Sequence, residues 1–192
     1  MRSSVRRSIL QVAIIASVTF SVRASFADHY RVPSGSMEPT VHVGDRIVVE
    51  KAAYGLRVPA TEIYAMHFSP PARGDVVVLL PPEGDIYDDA IDRATGTVLL
   101  KRVVAVGGDV VEVRSGIVRI DGKRMDAHAS LAEGGGPDFG PERVPAGKLL
   151  VLGDNRGNSR DGRFFGFVDR DRVVGRAFAV VVRDGKFDYE PF

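Results

Sequence analysis

The sequence contains no cysteine. Disulfides, thiol nucleophiles and Cys-ligated zinc are therefore excluded together. Histidine is scarce: His29, His42, His67 and His128 are the only four, with no HExxH spacing and no close pair, so no metal site is expected. Neither charge is in excess. The 26 Lys and Arg balance 25 Asp and Glu to a net +1, which leaves no basic field to attract nucleic acid. No acidic residue precedes Asp28. Beyond the N-terminus no run carries convincing helical periodicity. What is present is 44% hydrophobic and 27% charged residues in a chain of 192, the balance of one folded globular domain with at most a subdomain. Nothing in the composition calls for a cofactor.

Arg2, Arg6 and Arg7 precede an uncharged run from Ser8 to Val22, rich in Ile, Val and Ala. As a helix this run would span about 23 Å, short of a hydrocarbon core of roughly 30 Å. Snorkelling by Arg7 and Arg23, with Ala24 to Ala27 added, makes a span feasible. The preferred reading is an uncleaved anchor over residues 1–27 with a basic cytoplasmic tip, the N-terminus inside and residues 28–192 outside. A cleaved leader is the alternative, since Ser25-Phe26-Ala27 before Asp28 has small residues where a cleavage site needs them. A soluble amphipathic tail is the third.

Along the rest of the chain the signals are those of strands and turns. Residues 43–53 suggest a turn and a strand, and residues 54–72, with Gly55, Pro59, Pro70 and Pro71, a surface excursion where ordinary packing of Tyr64 and Phe68 is expected rather than lipid contact. Arg73-Gly74-Asp75 reads as a turn before the strand Val76 to Leu80 rather than as an adhesion motif. Residues 83–96 are acidic and turn-rich. A strand over 97–106 ends at Gly107-Gly108-Asp109, and Ser115-Gly116 and Asp121-Gly122 both mark hairpins. Residues 129–147 read as a long loop, Lys148 to Leu152 and Arg172 to Arg183 as strands. The expected fold class is mainly β, with antiparallel strands in two sheets or one bent, barrel-like sheet.

Chemistry concentrates in three segments. In Pro33-Ser34-Gly35-Ser36-Met37-Glu38-Pro39-Thr40 the prolines stiffen both flanks of a loop that can hold one hydroxyl in a fixed pose. A serine is a poor nucleophile without a base. Lys101, 65 residues on, offers one: five of the six residues flanking Lys101-Arg102 are Val or Leu, and an apolar setting favours the uncharged amine. Taken singly, Ser36 reads as a turn serine and Lys101 as a solvated strand lysine. The pairing makes a nucleophile and general base. No His/Asp pair competes, and His42 reads as structural. The third segment, 153–163, is a turn-rich loop in which Asp161 and Arg163 could pair as a brace.

Four segments in order resemble bacterial type I signal peptidases: Pro33 to Thr40, Arg-Gly-Asp-Val-Val-Val at 73–78, Lys-Arg-Val-Val-Ala-Val-Gly-Gly-Asp at 101–109, and Gly-Asp-Asn-Arg-Gly-Asn-Ser-Arg-Asp-Gly-Arg at 153–163. The resemblance implies a catalytic core of coiled antiparallel β-sheets with a smaller β extension, here over 83–97 and 110–147, behind one N-terminal transmembrane helix in the bacterial inner membrane. It implies Ser36 as nucleophile, Lys101 as general base, and Ser34 with Ser36 as the oxyanion hole. It implies that Ser159 positions Lys101 and that Asp161 and Arg163 form a supporting ion pair. Val32, Pro33, Met37, Val41, Leu99 and Leu100 would wall pockets for small residues of the substrate. The implied partners are signal peptides of exported preproteins and the lipid bilayer, with no nucleic acid, no cofactor and a monomeric enzyme. Two positions depart from the motif: Gly157 and Gly162 stand where an Asp and a Ser are usual. Three other readings remain: a dedicated peptidase such as those maturing conjugative pilins, a self-cleaving Ser/Lys repressor, which the missing helix-turn-helix argues against, and a non-catalytic, membrane-tethered peptide-binding β module.

Overall fold

The computed structural model describes residues 27–57, 64–82, 91–93, 96–125 and 128–192, together with Gln11. The anchor expected over 1–27 thus lies, but for its last residue and Gln11, outside the described residues. Among the described residues no helix is long and apolar enough to cross a membrane.

The chain builds one large and one small antiparallel sheet. The large sheet has nine strands. Its path is β1 (Ala27–Arg31), β2 (Arg46–Glu50), β14 (Val173–Arg183), β5 (Val76–Leu79), β7 (Gly96–Val106), β12 (Lys148–Leu152) and β13 (Val168–Asp169). Two further strands branch off it: β6 (Ile91–Arg93) pairs with β7, and β15 (Lys186–Pro191) with β14. The small sheet takes β8 (Val110–Arg114), β9 (Ile117–Ile120), β10 (Lys123–Arg124) and β11 (Phe139–Arg143) in the order β10-β9-β8-β11. A separate hairpin joins β3 (Gly55–Arg57) to β4 (Tyr64–His67).

The pattern of burial explains the placement. β5 reads Val-Val-Val-Leu and is buried at every position, so both its faces are covered. β2 alternates instead, with Ile47 and Val49 inward. β7 is long and β-branched enough to pair with β5, β12 and β6 at different points along its length. The core divides into three clusters. One gathers Tyr30, Val32, Met37, Val41, Ile47 and Leu100, a second Tyr54, Val77, Leu79, Leu99 and Val103, and a third joins β8 and β9 to Ala105, Leu150 and Leu152. Both predicted hairpin turns carry two consecutive positive φ angles, 47° and 79° at Ser115 and Gly116, 50° and 79° at Asp121 and Gly122, as two-residue turns that match strand twist require.

Residues 91–93 pair with the start of β7 as a hairpin on the large sheet. Two features differ from the sequence reading. The loop expected over 129–147 contains β11, which pairs with β8 through an irregular register. β15 follows a turn at Asp184-Gly185 and carries exposed Phe187 and Tyr189, a hairpin that the sequence reading did not identify. In the 54–72 excursion Phe68 is exposed, while Tyr64 is half-buried and its hydroxyl donates to the Val173 carbonyl at 2.8 Å.

Candidate active site

The centre of β7 carries Lys101 into the interior. Its side chain is 0% exposed, opposite Val77 across the ladder and between Leu99 and Val103 along the strand. Nζ lies 3.0 Å from Ser36 Oγ, donating to it as drawn. The two residues are 65 apart in sequence, and both are buried, Ser36 to 4% exposure.

Ser36 sits in the loop between β1 and β2, and that loop is pinned at both ends. Val32 N–H donates to the Asp45 carbonyl at 2.9 Å, and Gly44 N–H to the Val32 carbonyl at 2.8 Å. Inside the loop Glu38 N–H donates to Gly35 and Val41 N–H to Met37, while Met37 and Val41 bury their side chains in the first cluster. The apolar anchors on either side of Ser36 thus fix the backbone that presents its hydroxyl. Ser34 Oγ lies 3.4 Å from Ser36 Oγ, so the hydroxyl expected in the oxyanion hole stands beside that of Ser36.

The loop after β12 closes the site from the third side. Asn155 N–H donates to the Ser36 carbonyl at 3.1 Å. Gly153 packs so closely that an added Cβ would lie 2.4 Å from the Ser36 carbonyl oxygen and 2.3 Å from Ser159 Oγ. Ser159 therefore shares the site with Ser36. Its hydroxyl is buried and makes no hydrogen bond, so no direct bond joins it to Lys101. Asp161 and Arg163 form a two-pronged pair, both contacts 2.8 Å, with both side chains fully buried. Asp161 also accepts the Gly153 N–H at 3.0 Å and caps the short helix Gly162–Phe165. The pair therefore holds the glycine on which Ser36 and Ser159 rest.

A second buried pair was not foreseen. Arg102 donates to Asp154 through Nε at 2.9 Å and Nη2 at 2.7 Å, and its Nη1 donates to the Gly74 carbonyl at 2.8 Å. Thr40 Oγ1 donates to Asp154 at 2.6 Å. One carboxylate thus joins the serine loop, the lysine strand and the loop after β12. The available signal was position: Thr40, Arg102 and Asp154 all lie inside the quoted segments, beside residues already singled out.

The expected pocket walls are not one group. Val32, Met37, Val41 and Leu100 pack together in the first cluster, all at 4% exposure or less. Leu99 points to the other side of β7 and packs in the second cluster, as the two-residue period of a strand demands. Pro33 is exposed.

Comparison with known proteins agrees with this geometry in kind. Residues 5–182 match the family model described as "Signal peptidase, peptidase S26". The chain is 35% identical over 178 residues to a signal peptidase I of Leptolyngbya laminosa, covering 91% of this chain and 78% of the relative. It is 36% identical over 166 residues to a probable signal peptidase I of a Synechocystis strain, covering 86% and 67%. A crystal structure of a signal peptidase I from Enterococcus faecalis superposes with a TM-score of 0.42 at 29% identity, over 55% of this chain and 95% of that one, a similarity too low to argue from. With the family model spanning nearly all of it and relatives above one-third identity, the chain belongs to the signal peptidase family, peptidase S26.

Proposed function

We propose that this protein is a membrane-anchored serine endopeptidase that removes N-terminal signal peptides from exported preproteins, with Ser36 as nucleophile and Lys101 as general base. Signal-peptide removal is the activity its family membership supports. The observation that carries the mechanism is the 3.0 Å contact between a fully buried amine and a buried hydroxyl. Proton acceptance requires the neutral amine, and the neighbours of Lys101 across and along the strands, Val77, Leu99 and Val103, are all buried and apolar.

In the cycle, Ser36 Oγ bonds to the scissile carbonyl carbon while its proton passes to Lys101 Nζ. The oxyanion accepts hydrogen bonds from Ser34 Oγ and the Ser36 N–H, each donor worth about 3–4 kcal/mol in comparable sites. The carbon–nitrogen bond then breaks as Lys101 returns the proton to the leaving amine. Water attacks the acyl-serine carbonyl as Lys101 takes its proton, and the bond to Ser36 Oγ then breaks as Lys101 returns that proton to the serine. Ser159, beside Gly153 as the Ser36 carbonyl is, orients Lys101, and the Asp161–Arg163 pair supports that loop. Val32, Pro33, Met37, Val41, Leu99 and Leu100 flank the path of an extended substrate added along β7. Residues 1–27 serve as the anchor, holding the β domain outside the bacterial inner membrane as a monomer. The basic tip and apolar run support that topology.

The test is cleavage of an exported preprotein by the full-length chain in detergent, with the product's new N-terminus sequenced. Cleavage after a small residue, absent in Ser36→Ala, is the expected result. Unchanged cleavage by Ser36→Ala would overturn the assignment.

A further inference from the structure

Residues 130–136 leave the small sheet and run across the loop that follows β12. Ser130 N–H donates to the Asp154 carbonyl at 2.7 Å, and Arg156 N–H to the Ser130 carbonyl at 3.0 Å, a parallel bridge between otherwise separate segments. Arg163 Nη1 donates to the Gly135 carbonyl at 2.5 Å. Asn155 Nδ2 donates to Glu133 Oε1 at 2.8 Å.

The approach is close enough to dictate residue types on both sides. A Cβ on Gly157 would lie 1.8 Å from the Glu133 carbonyl oxygen. One on Gly135 would lie 2.3 Å from Ser115, and one on Gly136 2.5 Å from Arg163 Nη1. Gly136 and Gly157 therefore each make room for the facing segment, and Gly135 for the turn at Ser115. Gly157 is one of the two positions where the chain lacks the polar residue usual in the motif. An acidic group reaches Asn155 from Glu133 instead.

Resting on the proposed function, we infer that residues 130–136 act as a strap and that Glu133 is a positioning residue for Ser36, working through Asn155. Asn155 is 3% exposed, and its N–H holds the Ser36 carbonyl. Its side-chain Oδ1 is buried without a partner, so the amide orientation depends on the Glu133 bond. An ionised carboxylate only accepts, which forces Nδ2 rather than Oδ1 toward it. Without Glu133 the Asn155 side chain loses its fixed orientation, and the backbone that carries the Ser36 carbonyl loosens.

The test compares steady-state cleavage of one preprotein by wild type, Glu133→Ala, Glu133→Gln and Gly157→Asp. Glu133→Ala should lower kcat about five- to tenfold with KM unchanged, the net worth of one hydrogen bond to an exposed partner read as a rate. Glu133→Gln, which keeps an acceptor, should recover most of that loss. Gly157→Asp should lower kcat although it restores the residue usual in the motif, because it displaces the strap. Wild-type kcat in Glu133→Ala, equal losses in the Ala and Gln variants, or unchanged kcat in Gly157→Asp would each overturn the inference while wild-type cleavage left the proposed function standing. A wild-type chain that cleaves no preprotein would instead remove that function.

Discussion

Three arginines with buried partners carry much of the site's order. Arg163 meets Asp161, two residues away, and Arg102 meets Asp154, 52 residues away. In both cases the guanidinium fork matches the carboxylate, and its remaining donors reach backbone carbonyls. Such pairs are costly to break singly, because the survivor is a buried unpaired charge. Arg102→Met should therefore lose about 3–5 kcal/mol of unfolding free energy. Adding Asp154→Asn should recover part of it. Urea unfolding of the single and double variants measures this, and a loss under 1 kcal/mol would show that the pair does not hold the site. The third, Arg73, donates to Asp109 through Nε at 2.8 Å from a half-exposed position, so it acts on the turn it closes.

At the scale of elements, β7 is the spine. It presents Lys101 and Arg102 to opposite sides, one to the hydroxyl and one to the scaffold. The Arg73-Gly74-Asp75 turn secures its flank: Gly74 N–H donates to the Val103 carbonyl at 2.8 Å, and Val103 N–H to Asp75 at 2.9 Å. Tyr54 donates to Asp75 at 2.8 Å; burial and this bond push its phenol far above the usual range. Asp109 ends the strand. Burial alone would raise its pKa, but the Arg73 guanidinium and the Val106 N–H outweigh burial and hold the carboxyl below its ordinary value. A depressed folded value means stability present at neutral pH and above, and lost as pH falls through the carboxylate range. Arg73→Gln should therefore shift the acid-unfolding midpoint to higher pH and leave unfolding above pH 7 with the same pH dependence as wild type. Circular dichroism against pH reads this, and an unmoved midpoint would contradict it.

Much of this was legible in the sequence for reasons that can be named. Apolar β-branched runs locate β5, β7 and β12 to within a residue or so, because strands buried on both faces are filled mostly by Val and Leu. Asp161 and Arg163 are close enough in sequence for their pairing to be anticipated. Thr40, Arg102 and Asp154 were not, since nothing local links residues separated by 62 and 114 positions. Leu99 and Leu100 were grouped although strand alternation separates them. β15 escaped notice because its charged and aromatic residues are all exposed, leaving no buried face to read.

For the whole molecule, the fold's task is to bring two distant loops and a strand to one point. The loop between β1 and β2 supplies the hydroxyl, β7 the amine, and the loop after β12 the floor, with the small sheet sending residues 130–136 across the last of these. None of the three closes the site alone. The Val77, Leu99 and Val103 side chains that pack the large sheet also flank Lys101. The claim at the centre is that Lys101 takes the proton of Ser36. The most direct measurement is the single-turnover rate of preprotein cleavage by Lys101→Ala, with its circular dichroism spectrum matching wild type. The account predicts a loss of at least about a thousandfold, within the range for removal of a general base; a folded variant that cleaves within tenfold of the wild-type rate would contradict it.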